Sequence, residues 1–365
     1  MNFDYSDDQK FLKDEARKFL GAHCGSDQVR TVLDDAATAY NARLWKAVAT
    51  QGWLGAAIPE EFGGLGLGHI ELCAIAEELG RACAPIPFAS TVYFVAEALM
   101  LYGSDAQKIR WLPRIAAGDV IGAFATSEGA GPVTARSVRT TVTAGKLTGE
   151  KIPVTDGDVA DLIVVLAREG LYLVEKGAGV TAEVLETLDP TRSAARLTFT
   201  DAPCEKLGTE NGIAAMQAVF DRAAVLLAFE QLGGADRCLE MAKGYALDRY
   251  AFGRQIGGYQ AIKHKLADMY VKNELARSNA YYGAWALNVG AAELLLAAAT
   301  ARVAASDAYW FASKENIQTH GGMGFTWESD CHLYYRRSRQ LALVAGSPAA
   351  WRERLVGQLE MRNAA

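Results

Sequence analysis

The chain has 365 residues, of which half are apolar, and carries a formal net charge of −6 at pH 7. This length and apolar content can build two or three layers around a substantial core. The acidic balance argues against nucleic-acid binding, for which a basic patch is expected. The charged segment 1–19 lacks the apolar stretch of a signal peptide, and no segment reaches about 18 uninterrupted apolar residues. We therefore expect a soluble, cytoplasmic protein that does not insert into a membrane.

The cysteines and histidines do not indicate a metal site. The six cysteines are scattered without CxxC spacing, which in a cytoplasmic chain is typical of reduced residues that pack inside the fold. No cluster of histidines and cysteines has the spacing of metal ligands either, so the sequence predicts that no metal is bound.

The first third of the chain is predicted to be helical. Ser6 can cap a helix in which apolar residues such as Phe11 and Leu20 recur near helical spacing. A second helix is predicted at about 42–51, and further amphipathic runs follow a glycine-rich loop. We assign residues 1–117 to an N-terminal helical domain.

From Val120 the pattern changes to short β-branched runs separated by glycine or Asp-Gly, which predicts a compact, antiparallel β domain over residues 118–208. Helical spacing returns near Gly212 and predicts a four-helix bundle within a C-terminal domain, residues 209–365. Because helices and strands do not alternate, the fold class is α+β rather than a doubly wound nucleotide-binding fold. The four predicted long helices cover 212–250, 258–289, 291–319 and 330–359.

A glycine motif near the C-terminus is the first candidate binding element. Gln318 stands three residues before the pair Gly321 and Gly322. Glycines let backbone amides approach a bound group closely, and a glutamine side chain offers both donors and acceptors. Alone, such a glycine pair before an aromatic is most often a plain turn.

Four separated segments, taken in order, resemble the acyl-CoA dehydrogenase family over nearly the whole chain. They are ATSEGAG at 125–131, GEKIPVTDGDVADLIVVLA at 149–167, RYAFGRQIGGYQAIKHKLADMY at 249–270 and QTHGGMGF at 318–325. The resemblance implies an N-terminal helical domain, a β-barrel-like middle domain and a C-terminal four-helix bundle. It also implies FAD between subunits and α,β-desaturation of an acyl-CoA thioester. In that reaction a glutamate takes the α-proton, the flavin accepts the hydride, and an electron-transfer flavoprotein receives the electrons.

The resemblance assigns three cofactor contacts to the segment that begins at Arg249. The Arg249 guanidinium pairs with the FAD pyrophosphate, Phe252 packs on the cofactor, and Gln260 contributes to the same pocket. In isolation, Arg249 is more typical of a solvated helix-end arginine and Phe252 of a core aromatic, so these roles depend on the whole motif.

The remaining implied cofactor contacts belong to two different subunits of a dimer. Gln318, Gly321 and Gly322 match family residues that hold the adenine side of an FAD whose ring lies mainly in the neighbouring subunit. Thr126 and Thr155 keep hydroxyls where the family hydrogen-bonds the flavin ring of its own site.

Several positions depart from the family. Pro153 stands where a tryptophan commonly shields the flavin, and Pro132 stands where a serine commonly contacts CoA. The usual catalytic glutamate falls on Ala345, whose methyl group cannot abstract a proton. Some family members place the base before an arginine in the first bundle helix, which an ungapped count puts at Ala223 and Ala224. Asp221, next to Arg222, is the fallback base if the register shifts by two residues, and Glu230 is a weaker candidate.

These observations favour the non-catalytic-type subunit of a heterotetrameric acyl-CoA dehydrogenase, similar to actinobacterial enzymes that desaturate steroid side-chain CoA thioesters. In that hypothesis the chain completes the FAD site of a glutamate-bearing partner. Two alternatives stay open: a self-sufficient homotetramer with a relocated carboxylate base, and a flavin-dependent monooxygenase on the same scaffold.

Overall fold

The computed structural model describes residues 5–35 and 37–364. Along the chain a helical region is followed by a region of strands and then by a second helical region, as the sequence predicts. The contacts divide the chain into two compact units. The helical unit comprises the chain up to Ser26, Cys73–Ala84 and everything from Ala224 onward, and the mixed unit comprises Asp27–Leu72 and Pro85–Ala223.

The N-terminal region begins with the predicted capped helix. The Gln9 amide donates to Ser6 Oγ at 3.2 Å, and the Ser6 amide donates to Gln9 Oε1 at 2.9 Å. Leu20 is buried as expected, whereas Phe11 is 67% exposed. A π-helix, Ala89–Ala96, runs directly into the fifth α-helix. The six α-helices are α1 (Asp7–His23), α2 (Ser26–Leu33), α3 (Ala42–Thr50), α4 (His69–Arg81), α5 (Glu97–Tyr102) and α6 (Asp105–Ala116).

Eight strands form two four-stranded sheets in the mixed unit. They are β1 (Gly122–Ala125), β2 (Thr141–Thr143), β3 (Lys146–Thr155), β4 (Leu162–Ala167), β5 (Gly170–Glu175), β6 (Val180–Val184), β7 (Ala194–Pro203) and β8 (Glu205–Leu207). One sheet has the order β1-β4-β5-β8 and the other β2-β3-β7-β6. The β1–β4 pair is parallel, so the prediction of a purely antiparallel domain is wrong at this pair. The connection from β1 to β4 contains β2 and β3, and it is long enough to return the chain in the same direction.

The inner faces of the sheets supply a common apolar core. Val154 of β3, Leu197 and Phe199 of β7 and Ala123 of β1 are all buried in one cluster. The register between β3 and β7 shifts between Lys151 and Val154, which is a bulge. Proline is tolerated at such a bulge because no ladder hydrogen bond is required from it.

Among the described residues, the C-terminal region contains five α-helices, because the last of the four predicted runs is divided into two. They are α7 (Gly212–Asp248), α8 (Gln260–Asn288), α9 (Leu294–His320), α10 (Cys331–Leu343) and α11 (Pro348–Ala364), with a small hairpin of β9 (Tyr250–Ala251) and β10 (Arg254–Gln255) after α7. The predicted run 330–359 is interrupted because Ser347 caps α11 by accepting from the Ala350 amide at 3.2 Å. Pro348 occupies the first helical position, where its missing N–H costs nothing.

Two glycines allow α4 and α7 to cross closely in the helical unit. A Cβ added to Gly233 would lie 1.7 Å from the Glu77 carbonyl oxygen, and one added to Gly80 would lie 1.8 Å from that of Glu230. Any side chain at either position would therefore force the two helices apart.

Within the described residues, α7 is the one helix that is long and apolar enough to pass a membrane-span test, with a mean hydropathy of 1.5. In its most apolar window 67% is buried inside the structure, as in the core helix of a folded domain.

Candidate functional site

The predicted adenine-side residues lie on two adjacent turns of the helical unit. Arg249 immediately follows α7, and Gln318 lies in the last turn of α9. The rings of Tyr245 in α7 and His320 in α9 stack with centroids 4.3 Å apart, so the ends of these two helices are neighbours. His320 also donates from Nδ1 to the Asn316 carbonyl at 2.9 Å, which is the contact of a packing residue.

These side chains are available to a ligand because the fold does not use them. Phe252 is 97% exposed, and it adopts a φ of +51°, a conformation that is uncommon for a bulky residue. Arg249, Gln260 and Gln318 are exposed, and their side chains form no ion pair or hydrogen bond with any of the residues the structure describes.

The glycine pair is open on its outer side. A Cβ on Gly321 or Gly322 would meet no atom within 4 Å, so internal packing does not explain these glycines. Gly321 has a φ of +63°, which favours glycine directly after a helix.

Ala345, at the position of the family base, lies in a tightly held turn between α10 and α11. The buried Arg302 donates to the carbonyls of Leu341 and Val344, the latter at 2.8 Å, and Trp351 Nε1 donates to the Ala345 carbonyl at 3.1 Å. Burial lowers the pKa of Arg302 to about 9, and the nearby Glu230 carboxylate offsets part of this effect. The turn is well held, but Ala345 brings no acid–base group to it.

The two fallback carboxylates are both buried on α7. Asp221 is 1% exposed, and the adjacent Arg222 pairs with Glu97 (Nε to Oε2, 2.5 Å) rather than with Asp221. Glu230 is also 1% exposed and lies 3.7 Å from an Arg337 nitrogen, so it packs locally.

Glu97 anchors an ionic cluster that the sequence analysis did not identify. Its Oε1 lies 2.6 Å from Nε2 of His69, and its other oxygen accepts from Arg222. Burial alone would raise the pKa of Glu97, but the charges and hydrogen bonds of His69 and Arg222 outweigh it and lower the pKa to about 2. The three residues come from distant parts of the chain, so no local spacing could have revealed them.

Glu97→Gln is expected to destabilise the protein by about 3 kcal/mol at neutral pH, because Arg222 would keep its charge without a counter-ion. The folded pKa of Glu97 is below its ordinary value of about 4.5. The ionised Glu97 carboxylate therefore stabilises the folded state fully above that value, and this stabilisation is lost as the pH falls towards about 2. Urea unfolding should thus show a gap between variant and wild type at pH 7 that narrows near about pH 3.

The exposed pair of Glu205 with Arg110 at 3.1 Å provides the matched control. Glu205→Gln should change the free energy of unfolding by less than about 1 kcal/mol. A Glu97→Gln gap of the same size at both pH values would contradict the assigned role of the carboxylate.

The two hydroxyl groups predicted to contact the flavin ring, those of Thr126 and Thr155, lie in the mixed unit. Thr126 follows β1 and is 9% exposed, and Thr155 ends β3 and is half-buried. Neither hydroxyl forms a hydrogen bond with another residue in the described part of the chain. Pro153 is exposed at the β3 bulge and Pro132 is exposed in the loop after β1, so neither supplies a polar contact.

A second buried pair supports the Thr126 turn. Lys151 Nζ donates to Glu128 Oε1 at 2.7 Å and to the Thr126 carbonyl at 3.2 Å. A lysine in the middle of an alternating strand gives no sign in the sequence that it is completely buried, so this role emerges only from the fold. In the described ranges, no group of three or more His, Cys, Asp or Glu residues could hold a metal ion, and the six cysteines form no disulfide.

Comparison with known proteins agrees with this arrangement. The family descriptions "Acyl-CoA dehydrogenase, N-terminal domain" and "Acyl-CoA dehydrogenase, C-terminal domain" match residues 6–119 and 210–358. The acyl-CoA dehydrogenase IpdE2 of Mycobacterium tuberculosis is 34% identical over 359 residues, which cover 97% of this chain and 98% of the relative.

Two solved structures are similar over almost their full lengths. The Tcur3481-Tcur3483 steroid ACAD variant is 29% identical with a TM-score of 0.90, covering 98% of this chain and 99% of that one. The ChsE4-ChsE5 complex of Mycobacterium tuberculosis is 27% identical with a TM-score of 0.88, covering 99% of each chain. The chain belongs to the acyl-CoA dehydrogenase family, whose members are oxidoreductases that act on CH–CH bonds.

Proposed function

We propose that this chain is a subunit of an FAD-dependent acyl-CoA dehydrogenase, in which it supplies FAD-binding residues to a glutamate-bearing partner. The observation that carries the proposal is a contrast between two parts of the chain. Arg249, Gln260 and Gln318 are exposed and their side chains have no partner among the described residues, whereas Ala345 stands at the predicted position of the base.

The residues on the adenine side fit the chemistry of FAD. The Arg249 guanidinium offers charge-assisted, bidentate hydrogen bonds to a pyrophosphate, and the open space beside Gly321 and Gly322 lets a bound group approach the backbone. The exposed Phe252 ring adds an apolar contact. When bound, FAD supplies the two-electron acceptor, and the protein residues bind and orient the reactants.

The proton acceptor must come from elsewhere. Loss of a positioned general base costs about 10²- to 10⁴-fold in rate. Asp221 and Glu230 are poor substitutes because both are buried along α7, and Glu230 already pairs with Arg337. A partner subunit that carries the glutamate supplies the missing group.

The adenine-side turns also present an apolar surface that fits a partner chain. Phe325 is 86% exposed, and Met323, Trp327 and Tyr250 are exposed beside the predicted contacts. Groups of exposed large apolar side chains often mark interaction sites. The similar ChsE4-ChsE5 structure is a complex of two named components, which supports a two-chain assembly here.

The substrate class that we propose is an acyl-CoA thioester with a steroid-derived acyl group, because one similar structure is a steroid ACAD. An electron-transfer flavoprotein is the proposed electron acceptor and the cytoplasm the proposed location. The chemistry of the family supports the choice of electron acceptor.

Co-expression with a glutamate-bearing homologue tests the proposal. The purified chain alone should retain little flavin, and the co-purified pair should show flavin absorbance and desaturate acyl-CoA. A fully flavinated, active oligomer of this chain alone would favour the self-sufficient alternative, in which Asp221→Asn or Glu230→Gln should then abolish activity. Oxygen consumption with reduced flavin, without desaturation, would favour a monooxygenase.

A further inference from the structure

The turn that carries Thr126 is held by a buried carboxylate. Glu128 Oε1 accepts from Thr140 Oγ1 at 2.7 Å, from the Thr140 amide at 3.0 Å and from Lys151 Nζ at 2.7 Å. Glu128 Oε2 accepts from the Arg139 amide at 2.7 Å. The Glu128 side chain is 7% exposed and that of Lys151 is 0% exposed, so the pair is largely removed from water.

Lys151 connects this carboxylate to the start of the turn. Besides Glu128, its ammonium group donates to the carbonyl of Thr126 at 3.2 Å. One residue further along β3, the Ile152 amide donates to the Ser127 carbonyl at 2.8 Å, and Glu128 and Ile152 form an isolated parallel bridge. Three successive turn residues, 126–128, are thus attached to the middle of β3, the strand that ends at Thr155.

Lys151 fixes the backbone of Thr126 but leaves its hydroxyl group without a bond in the described part of the chain. The backbone carbonyl of Thr126 is fixed by Lys151, whereas its hydroxyl has no partner among the described residues. The hydroxyl of Thr155, at the far end of the same strand, is also unpaired within the described chain. The ion pair therefore leaves both hydroxyls available to a ligand while it fixes the backbone that presents the first of them.

The protonation states agree with a permanent ion pair. Burial would raise the pKa of Glu128, but the hydrogen bonds from Lys151, Thr140 and Arg139 outweigh this and lower the pKa to about 2. Burial lowers the pKa of Lys151, and the hydrogen bond and charge of Glu128 offset that effect. Removing Glu128 alone would leave a buried ammonium group without a counter-ion, which is strongly destabilising.

We propose that Glu128 and Lys151 are positioning residues that hold the Thr126 turn in the geometry that receives a flavin ring. The assignment rests on the proposed function, because the flavin ring is the ligand of that turn in an acyl-CoA dehydrogenase. The ion pair holds the turn without a bound cofactor. The surface that presents the Thr126 and Thr155 hydroxyls is therefore formed even though Ala345 stands at the predicted position of the base.

A ring-only ligand tests the proposal separately from the adenine side. FMN, which lacks the adenine moiety, is titrated into the purified full-length chain and binding is followed by quenching of flavin fluorescence. Wild type should bind added FMN saturably, although too weakly to retain flavin through purification. Thr126→Val should weaken binding about tenfold, the equivalent of about 1.4 kcal/mol, without changing the thermal midpoint.

The double variant Glu128→Gln/Lys151→Met separates positioning from stability. It removes both charges together, so it avoids the lone buried ammonium group and should keep a thermal midpoint close to that of wild type. The bond from Lys151 to the Thr126 carbonyl is lost, so its dissociation constant for FMN should rise at least about tenfold, again about 1.4 kcal/mol. The exposed pair Glu183–Arg196, at 3.0 Å in the neighbouring strands, supplies the matched control Glu183→Gln/Arg196→Met, which should bind FMN like wild type.

Two results would overturn the inference. A double variant with wild-type FMN affinity would reduce the pair to a purely structural role, and a wild-type chain that does not bind FMN at all would remove the ring-side surface. Neither result affects the proposed function, which depends on whether FAD and activity are recovered when a glutamate-bearing partner is co-expressed.

Discussion

Arg249→Met is expected to deplete FAD from the co-expressed complex, weakening its binding about 10- to 100-fold. A hydrogen bond to a charged group contributes about 1.5–3 kcal/mol, and each 1.4 kcal/mol corresponds to a factor of ten in affinity. The side chain has no partner among the described residues, so its removal leaves no unpaired group behind in this chain. The ratio of flavin to protein after gel filtration, followed by equilibrium titration with FAD, gives the magnitude.

Two further variants calibrate the Arg249 result. Arg249→Lys keeps the charge but loses the planar bidentate geometry, so it should recover only part of the affinity. Arg352 is an exposed arginine on α11 that pairs with Asp307 at 2.6 Å, and Arg352→Met should leave the FAD content unchanged. Wild-type flavin content in Arg249→Met would remove the adenine-side assignment, whereas an equal loss in Arg352→Met would indicate a general effect of lost surface charge.

Gly233→Ala is expected to destabilise the folded chain by about 3 kcal/mol, the upper part of the usual range for overpacking. The added methyl carbon would lie 1.7 Å from the carbonyl oxygen of Glu77, and backbone atoms cannot move aside as a flexible side chain can. The helices α4 and α7 must therefore separate, and the buried contacts along the crossing are lost. The midpoint of urea unfolding measures this loss.

Gly244 provides a matched control on the same helix. No atom lies within 4 Å of a Cβ at this exposed position, so Gly244→Ala should stabilise the chain by about 0.5–1 kcal/mol through helix propensity alone. Opposite signs for the two substitutions are the expected result. A neutral or stabilising effect of Gly233→Ala would mean that α4 and α7 do not approach at this glycine.

The sequence predicted the adenine-side turns by motif, and the structure supplies their spatial relation. The resemblance singled out Arg249 and Gln318, which are 69 positions apart in the printed sequence. Only the stacking of Tyr245 on His320 places the two helix ends side by side. Whether these residues bind FAD stays a prediction that the Arg249 variants test.

The last predicted helix shows that apolar periodicity alone does not locate the break between two successive helices. Helical periodicity continued through residues 330–359, so it predicted one helix where two are present. The local signal was available in Ser347 and Pro348, which form a cap and a first helical position. The turn before them depends on tertiary contacts from Arg302 and Trp351, which no pattern in the sequence links to it.

By itself, the sequence determined the order of helices, strands and helices, because apolar periodicity and turn residues are local properties of the chain. It also indicated the family, because motifs keep their spacing along the chain, and it predicts an alanine at the position of the base. The tertiary structure decided the parallel pairing of β1 with β4, the pairing of Arg222 with Glu97 instead of Asp221, and the burial of Lys151 against Glu128. These features join residues that are far apart in sequence, and the energy of a buried charge depends on the partners that the fold brings to it.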